Sequence, residues 1–197
     1  MNSLYKGNPY RGDMFRFRLI HDRTDRSFAT FVLQPRTMKT EFFIHRSRID
    51  APAAEVYAWY ALPEALERLT PQGEHIEVIE RTGGIERGGR VVLRFGRWPF
   101  RRRWVAEHLD YEEGRYFSDV QVSGPFAFWK HTHTFEPEGP AACTLEDRVE
   151  YALPLGFLGR WLAGGIVRRK IEQLFEHRHK VTARLIAVER SLHQSEK

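Results

Sequence analysis

Apolar and polar positions alternate with a period of two along most of this chain, and the places where the period changes mark out its elements. From Glu41 to Ile49 the alternation predicts a strand, which Asp50-Ala51-Pro52 ends with helix-start chemistry. Val56, Trp59 and Tyr60 at helical spacing predict a short helix over Ala53–Leu62; Pro63 then starts a second one that reaches about Leu69 and stops at Thr70-Pro71. Strands are predicted near His75–Arg81, Arg90–Gly96, Arg102–Tyr111 and Cys143–Leu153, with a hairpin over Tyr116–Phe135 before the last of them. Beyond Pro154 and Gly156 the period becomes helical, with Val167, Ile171, Leu174, Val181, Leu185, Val188 and Leu192 forming one stripe. A strand, two short helices, six strands of hairpin character and one long helix make an α+β order. A curved antiparallel sheet gripping the amphipathic helix buries all of these faces.

The Tyr116–Phe135 hairpin departs from an ordinary core. Strand side chains alternate between faces, so Trp129, His131, His133 and Phe135 share one side, and Phe117, Asp119 and Gln121 share one side of the partner strand. That wall is partly apolar and partly able to form hydrogen bonds. Asp147 and Tyr151 share a face of the last strand and reach toward the same interior.

Composition narrows the function classes. A chain of 197 residues with 42% hydrophobic residues suits one globular domain with a sizeable core. The net charge of +5 is concentrated at the start: residues 1–37 hold seven of the 31 Lys/Arg and three of the 26 Asp/Glu, leaving 24 and 23, a net of +1, for the remainder. A body this close to neutral does not form a broad phosphate-binding surface, so no nucleic-acid partner is expected. Residues 1–37 are expected to be a flexible or poorly ordered extension, with Met38 a candidate natural start and 38–197 the ligand-binding domain. One cysteine, Cys143, leaves no internal disulfide framework. With no spanning apolar run or signal-peptide pattern, a cytoplasmic location is expected.

TGGIERGG at 82–89 lacks the Gly-Lys-Ser/Thr ending of a P-loop and the Gly-x-Gly-x-x-Gly spacing, and its glycines suit turns. No Gly-x-Ser-x-Gly elbow is present, so covalent catalysis has no support.

The opening IDAPAAEVYAW at 49–59, SDVQVSGPFAFWKHTHTF at 118–135, LEDRVEYALPLG at 145–156 and FEHRH at 175–179 resemble the START-like or SRPBCC superfamily, the helix-grip fold. Within it, the chain is similar to the bacterial polyketide cyclase/dehydrase-like ligand-binding proteins, some of which are fused to a sugar-nucleotide epimerase-like domain. The resemblance covers Thr40 to about Leu192. It implies a hydrophobic cavity between sheet and helix, with the RWPFRRR and VSGPFAF connections beside its entrance. A fold alone names no activity.

Three functions follow as expectations. The first is binding of a hydrophobic or amphipathic small molecule, lipid or polyketide-like, by a non-catalytic protein. Its contacts would be Trp104, Phe117, Asp119, Gln121, Trp129, His131, His133, Asp147, Tyr151 and Arg178. The second is a cyclase or dehydrase in which His131 or His133 is the general acid/base and Asp119 or Asp147 sets its tautomer. The third is an interaction module for an epimerase-like enzyme. The same polar residues would also serve as a self-satisfied buried network that fixes the sheet register. His131 and His133, with Asp119 or His108, have the donor types zinc accepts, but with no second cluster the sequence is assigned no metal and no cofactor. Arg178 interrupts the helix stripe, and it either snorkels or meets an anion. His177 and His179 are expected to face solvent. The Arg97–Arg103 loop could touch anionic lipid, although membrane contact is not the favoured expectation.

Overall fold

The computed structural model describes residues 15–20, 30–35, 39–99 and 101–195. Two short strands, β1 (Phe15–Ile20) and β2 (Thr30–Pro35), pair antiparallel with Phe17 opposite Leu33. They belong to a unit of their own, Met1–Lys39. Apart from these two strands, the expected extension over residues 1–37 lies outside the described residues, as does Met38.

The second unit is Thr40–Lys197. It runs β3 (Glu41–Ile49), α1 (Ala53–Tyr60), α2 (Ala65–Arg68), β4 (Ile76–Thr82), β5 (Arg90–Phe95), β6 (Arg102–Glu112), β7 (Tyr116–Ser123), β8 (Phe128–Pro137), β9 (Cys143–Ala152) and α3 (Phe157–Ser195). The seven strands lie in the order β3-β9-β8-β7-β6-β5-β4, each pair antiparallel, so the last strand returns to lie beside the first. Register shifts between Val78 and Glu80 on β4, and at Val105/Ala106 and His108/Asp110 on β6, bend the sheet. This is the expected helix-grip architecture, and each predicted element is present within a few residues. Pro52 is the N-cap of α1, where its carbonyl accepts from the amides of Glu55 and Val56. In the β4–β5 connection, Gly83 and Gly88 have φ of +70° and +86°, and a Cβ on Gly89 would stand 2.0 Å from the Gly84 carbonyl oxygen. The glycines are thus used by the turn itself.

Helix α3 spans 39 residues, roughly 58 Å. Its buried seam follows the expected stripe only in part: Ile171 is buried, and Val167, Val181 and Leu185 pack partly buried against the core. Ile171, Phe175, His179, Thr182 and Ile186 are buried at steps of four, four, three and four, whereas Val188 is 48% and Leu192 59% exposed. The seam is displaced because two polar residues occupy its centre. Apolar packing lies on either side of them. One cluster joins Tyr57, Trp59, Tyr60, Phe117, Phe135, Leu145 and Ile186; the other joins Phe43, Trp129, Val149, Tyr151, Ile171 and Phe175. No helix among the described residues is long and apolar enough to cross a membrane.

Candidate functional site

Sheet register brings the polar side chains together. His45 on β3 pairs with Asp147 on β9, Asp147 with His133 on β8, and His133 with Phe117 on β7. The next row of the same face pairs Phe43 with Val149, Val149 with His131, His131 with Asp119, and Asp119 with His108. Two successive rows therefore place six titratable strand residues across the sheet, and four of them, Asp119, His131, His133 and Asp147, lie on the adjacent strands β7, β8 and β9.

Asp147 is the hub and is wholly buried. The Nε2–H of His131 donates to its Oδ1 at 3.0 Å, and the Nε2–H of His179 donates to its Oδ2 at 2.9 Å. His133 Nδ1 lies 2.5 Å from Oδ1, a close approach without hydrogen-bond geometry. On its other side, His131 Nδ1 faces Asp119 Oδ2 at 3.5 Å. The rings of His131 and His133 are 4.0 Å apart between centroids.

The electrostatics follow from these contacts. Burial acts to raise the Asp147 pKa, but His133, His131 and His179 together hold it well below the usual carboxylate range. Burial acts to lower that of His131, yet the carboxylates of Asp119 and Asp147 outweigh it and raise the group to about 9. His133 has no such pair of acceptors, and burial takes it down to about 4 against the opposing pull of Asp147. Near neutral pH, His131 is an imidazolium between two carboxylates, and His133 is neutral.

Helix α3 closes the network. His179, expected to face solvent, is buried and bonded to Asp147, and its ring meets His45 edge-on at 4.5 Å. The reason is its place in the seam, four residues after Phe175. Thr182 donates its hydroxyl proton to the Arg178 carbonyl at 2.9 Å, so in the 2.9 Å contact between Tyr60 and Thr182 it is Tyr60 that donates. The Arg178 guanidinium packs over Phe175 at 5.5 Å. Its Nε is buried without a hydrogen-bond partner, and burial lowers its pKa against the opposing effect of Asp147. Tyr60→Phe is expected to cost about 1 kcal/mol, the ordinary net worth of one buried hydrogen bond. In a domain of this size that lowers the melting temperature by about 2–4 °C, which circular dichroism would measure.

The remaining expected contacts fall in three places. Phe117 is buried 4.5 Å from the His133 ring. Trp104 and Trp129 meet edge-to-face at 5.1 Å, with Phe126 of the β7–β8 connection 4.8 Å from Trp129. Gln121 is used locally: its amide donates to the Phe126 carbonyl at 2.8 Å and its oxygen accepts from the Phe126 amide at 3.3 Å, which pins that connection. Tyr151 directs its hydroxyl away from the histidines to Glu41 at 3.1 Å. In the Arg97–Arg103 connection Trp98 is 83% exposed, while Phe100 lies outside the described residues. A groove lined by Trp161, Leu162, Ile166, Arg169 and Lys170 lies along α3 and shares no residue with the network.

Sequence reasoning overlooked Tyr60, Thr182 and His45. Thr182 is identifiable only from the seam, Tyr60 only from its contact with Thr182, and His45 only once β3 is placed beside β9.

The family model for polyketide cyclase/dehydrase and lipid transport matches residues 49–177. No curated protein matches the sequence. Among solved structures, a point mutant of norcoclaurine synthase from Thalictrum flavum, in complex with a transition-state analogue, is 13% identical; the match covers 78% of this chain and 98% of that one at a TM-score of 0.62. The same plant's enzyme in complex with dopamine and hydroxybenzaldehyde is 14% identical, with 81% and 97% covered and a TM-score of 0.60. A START superfamily protein from Mycobacterium smegmatis is 14% identical, with 72% and 94% covered and a TM-score of 0.55. At these identities the likeness is one of fold.

Proposed function

Because the chain belongs to the polyketide cyclase/dehydrase and lipid transport family, we propose that it binds a hydrophobic or amphipathic small molecule between its sheet and α3. One observation carries this reading: a polar layer lies between two apolar clusters, and Arg178 presents a buried, unbonded Nε within that layer. Apolar walls supply affinity, while a few convergent polar groups fix the orientation. A buried guanidinium N–H without an acceptor costs free energy unless something accepts from it. A ligand with a carboxylate or another anionic head would do so, with its apolar part against Trp104, Phe126 and Trp129.

Should the site also do chemistry, His133 suits proton transfer better than His131. Both nitrogens of His131 face carboxylates, while His133 is neutral at working pH and lacks a directed hydrogen bond at Nδ1.

The test is native mass spectrometry of freshly purified protein, organic extraction of whatever accompanies it, and titration with long-chain acids and alcohols followed by tryptophan emission. A co-purifying amphiphile, or saturable quenching by one class, is the expected result. Arg178→Met should weaken an acid at least about tenfold and leave the matching alcohol unchanged, since a hydrogen bond to a charged group is worth about 1.5–3 kcal/mol. An empty protein that no member of the panel quenches would refute the binding reading.

A further inference from the structure

We propose that Asp119, His131 and His133 form a binding site for one divalent first-row transition metal ion, with Asp147 as its outer support. One ligand atom from each of the three residues lies within 4.8 Å of the others. The placement comes from the sheet itself, because Asp119 is the direct cross-strand partner of His131, and His133 follows two residues later on the same face.

The separation of Asp119 Oδ2 from His131 Nδ1 favours a metal over a simple hydrogen bond. At 3.5 Å it is long for a charge-assisted N–H···O contact, which closes to about 2.7–2.9 Å. Two ligands about 2.0–2.1 Å from a tetrahedral ion stand roughly 3.3–3.5 Å apart. His133 supplies the third atom, and binding the ion releases the Nδ1 proton that Asp119 otherwise helps to hold on His131. Asp119, held only by its long 3.5 Å contact with His131 and 15% exposed at its side chain, is the most accessible of the three.

The support around the three residues is of the kind metal sites use. A ligating histidine ordinarily donates its far N–H to a carboxylate, which fixes its tautomer and orientation. Asp147 accepts from His131 Nε2 at 3.0 Å, touches His133, and is itself held by His179 at 2.9 Å. Two imidazoles and one carboxylate suit Zn²⁺ or Fe²⁺ rather than Mg²⁺ or Ca²⁺, and three protein ligands leave a coordination position open. The inference rests on these three residues and is independent of the amphiphile reading, which Arg178 and the aromatic cluster carry.

The probe is the metal alone. Full-length protein stripped with chelator, incubated with Zn²⁺ and desalted should retain close to one equivalent by elemental analysis, and Co²⁺ should give the visible absorption of a four-coordinate site. Asp119→Asn and His133→Gln, each confirmed as folded by circular dichroism, should each lose more than the about 10–100-fold in affinity that an outer-shell change costs. For a variant that does not fold, the wild type decides the matter: Zn²⁺ should raise its melting temperature in proportion to ln[Zn²⁺]. Retention below a tenth of an equivalent, no change in melting temperature, or folded variants that bind as tightly as wild type would each overturn the site.

Discussion

Asp147→Ala is expected to cost about 3–5 kcal/mol of folding stability, the usual penalty for removing one member of a buried charged group and leaving its partners behind. The two imidazole N–H groups that donate to Asp147 would lose their acceptor in a region from which water is excluded. His133 would lose its nearest anion as well. A domain usually has about 5–15 kcal/mol to lose, so this variant should unfold at a urea concentration lower by about 2 M for an ordinary denaturant slope. Asp147→Asn keeps one acceptor oxygen and the shape of the side chain, and should lose about half as much. Urea unfolding followed by circular dichroism makes the comparison. If the alanine variant lost less than about 1 kcal/mol, Asp147 would be solvated in solution and not a buried hub.

The position of Asp147 also shows which parts of this molecule are legible in its sequence. Each strand could be located from alternation, because a half-buried sheet needs period two, and Pro, Gly and Asp mark the turns. The Tyr116–Phe135 hairpin stood out since His131 and His133 sit where Val or Leu would be ordinary. Alternation gives the face of a residue but not its neighbours across the sheet. That Asp147 lies between His45 and His133 depends on β9 returning to pair with both β3 and β8, and pairing between distant strands leaves no local trace. The helix failed differently. Its apolar residues suggested a stripe through Val188 and Leu192, but the buried seam runs through His179 and Thr182. A polar residue at the centre of a seam is invisible to a count of apolar ones. Only the chemistry opposite, an anionic Asp147, explains why a histidine is stable there.

The same network sets how stability depends on pH. Eight groups face one another: His45 from β3, His108 from β6, Asp119 from β7, His131 and His133 from β8, Asp147 from β9, and Arg178 and His179 from α3, with the Tyr60 hydroxyl of α1 at the edge. His131 has a folded pKa of about 9, above its ordinary 6.5. Its contribution is therefore complete below 6.5 and is lost as pH rises through 9. His133 is held down to about 4, and burial lowers His45 as well. The unfolded chain takes up protons at these two first, so stability falls as pH drops below 6.5. Asp147 and Asp119, both held low, add to that loss once pH falls below the ordinary carboxylate value. With chelator present, stability should peak near pH 6.5 and decline on both sides, each limb being on the order of 3 kcal/mol. Cys143, pushed up from 9 to about 11, and Tyr151, pushed up from 10 to about 12, lower stability only once the unfolded chain ionises at its ordinary values, so below about pH 8.5 that limb belongs chiefly to His131. His131→Gln should lower stability at pH 6.5 and flatten the decline between pH 6.5 and 9.5. Urea unfolding at half-unit steps of pH would show it, and an unchanged alkaline limb in the variant would mean that His131 is not held as an imidazolium between Asp119 and Asp147.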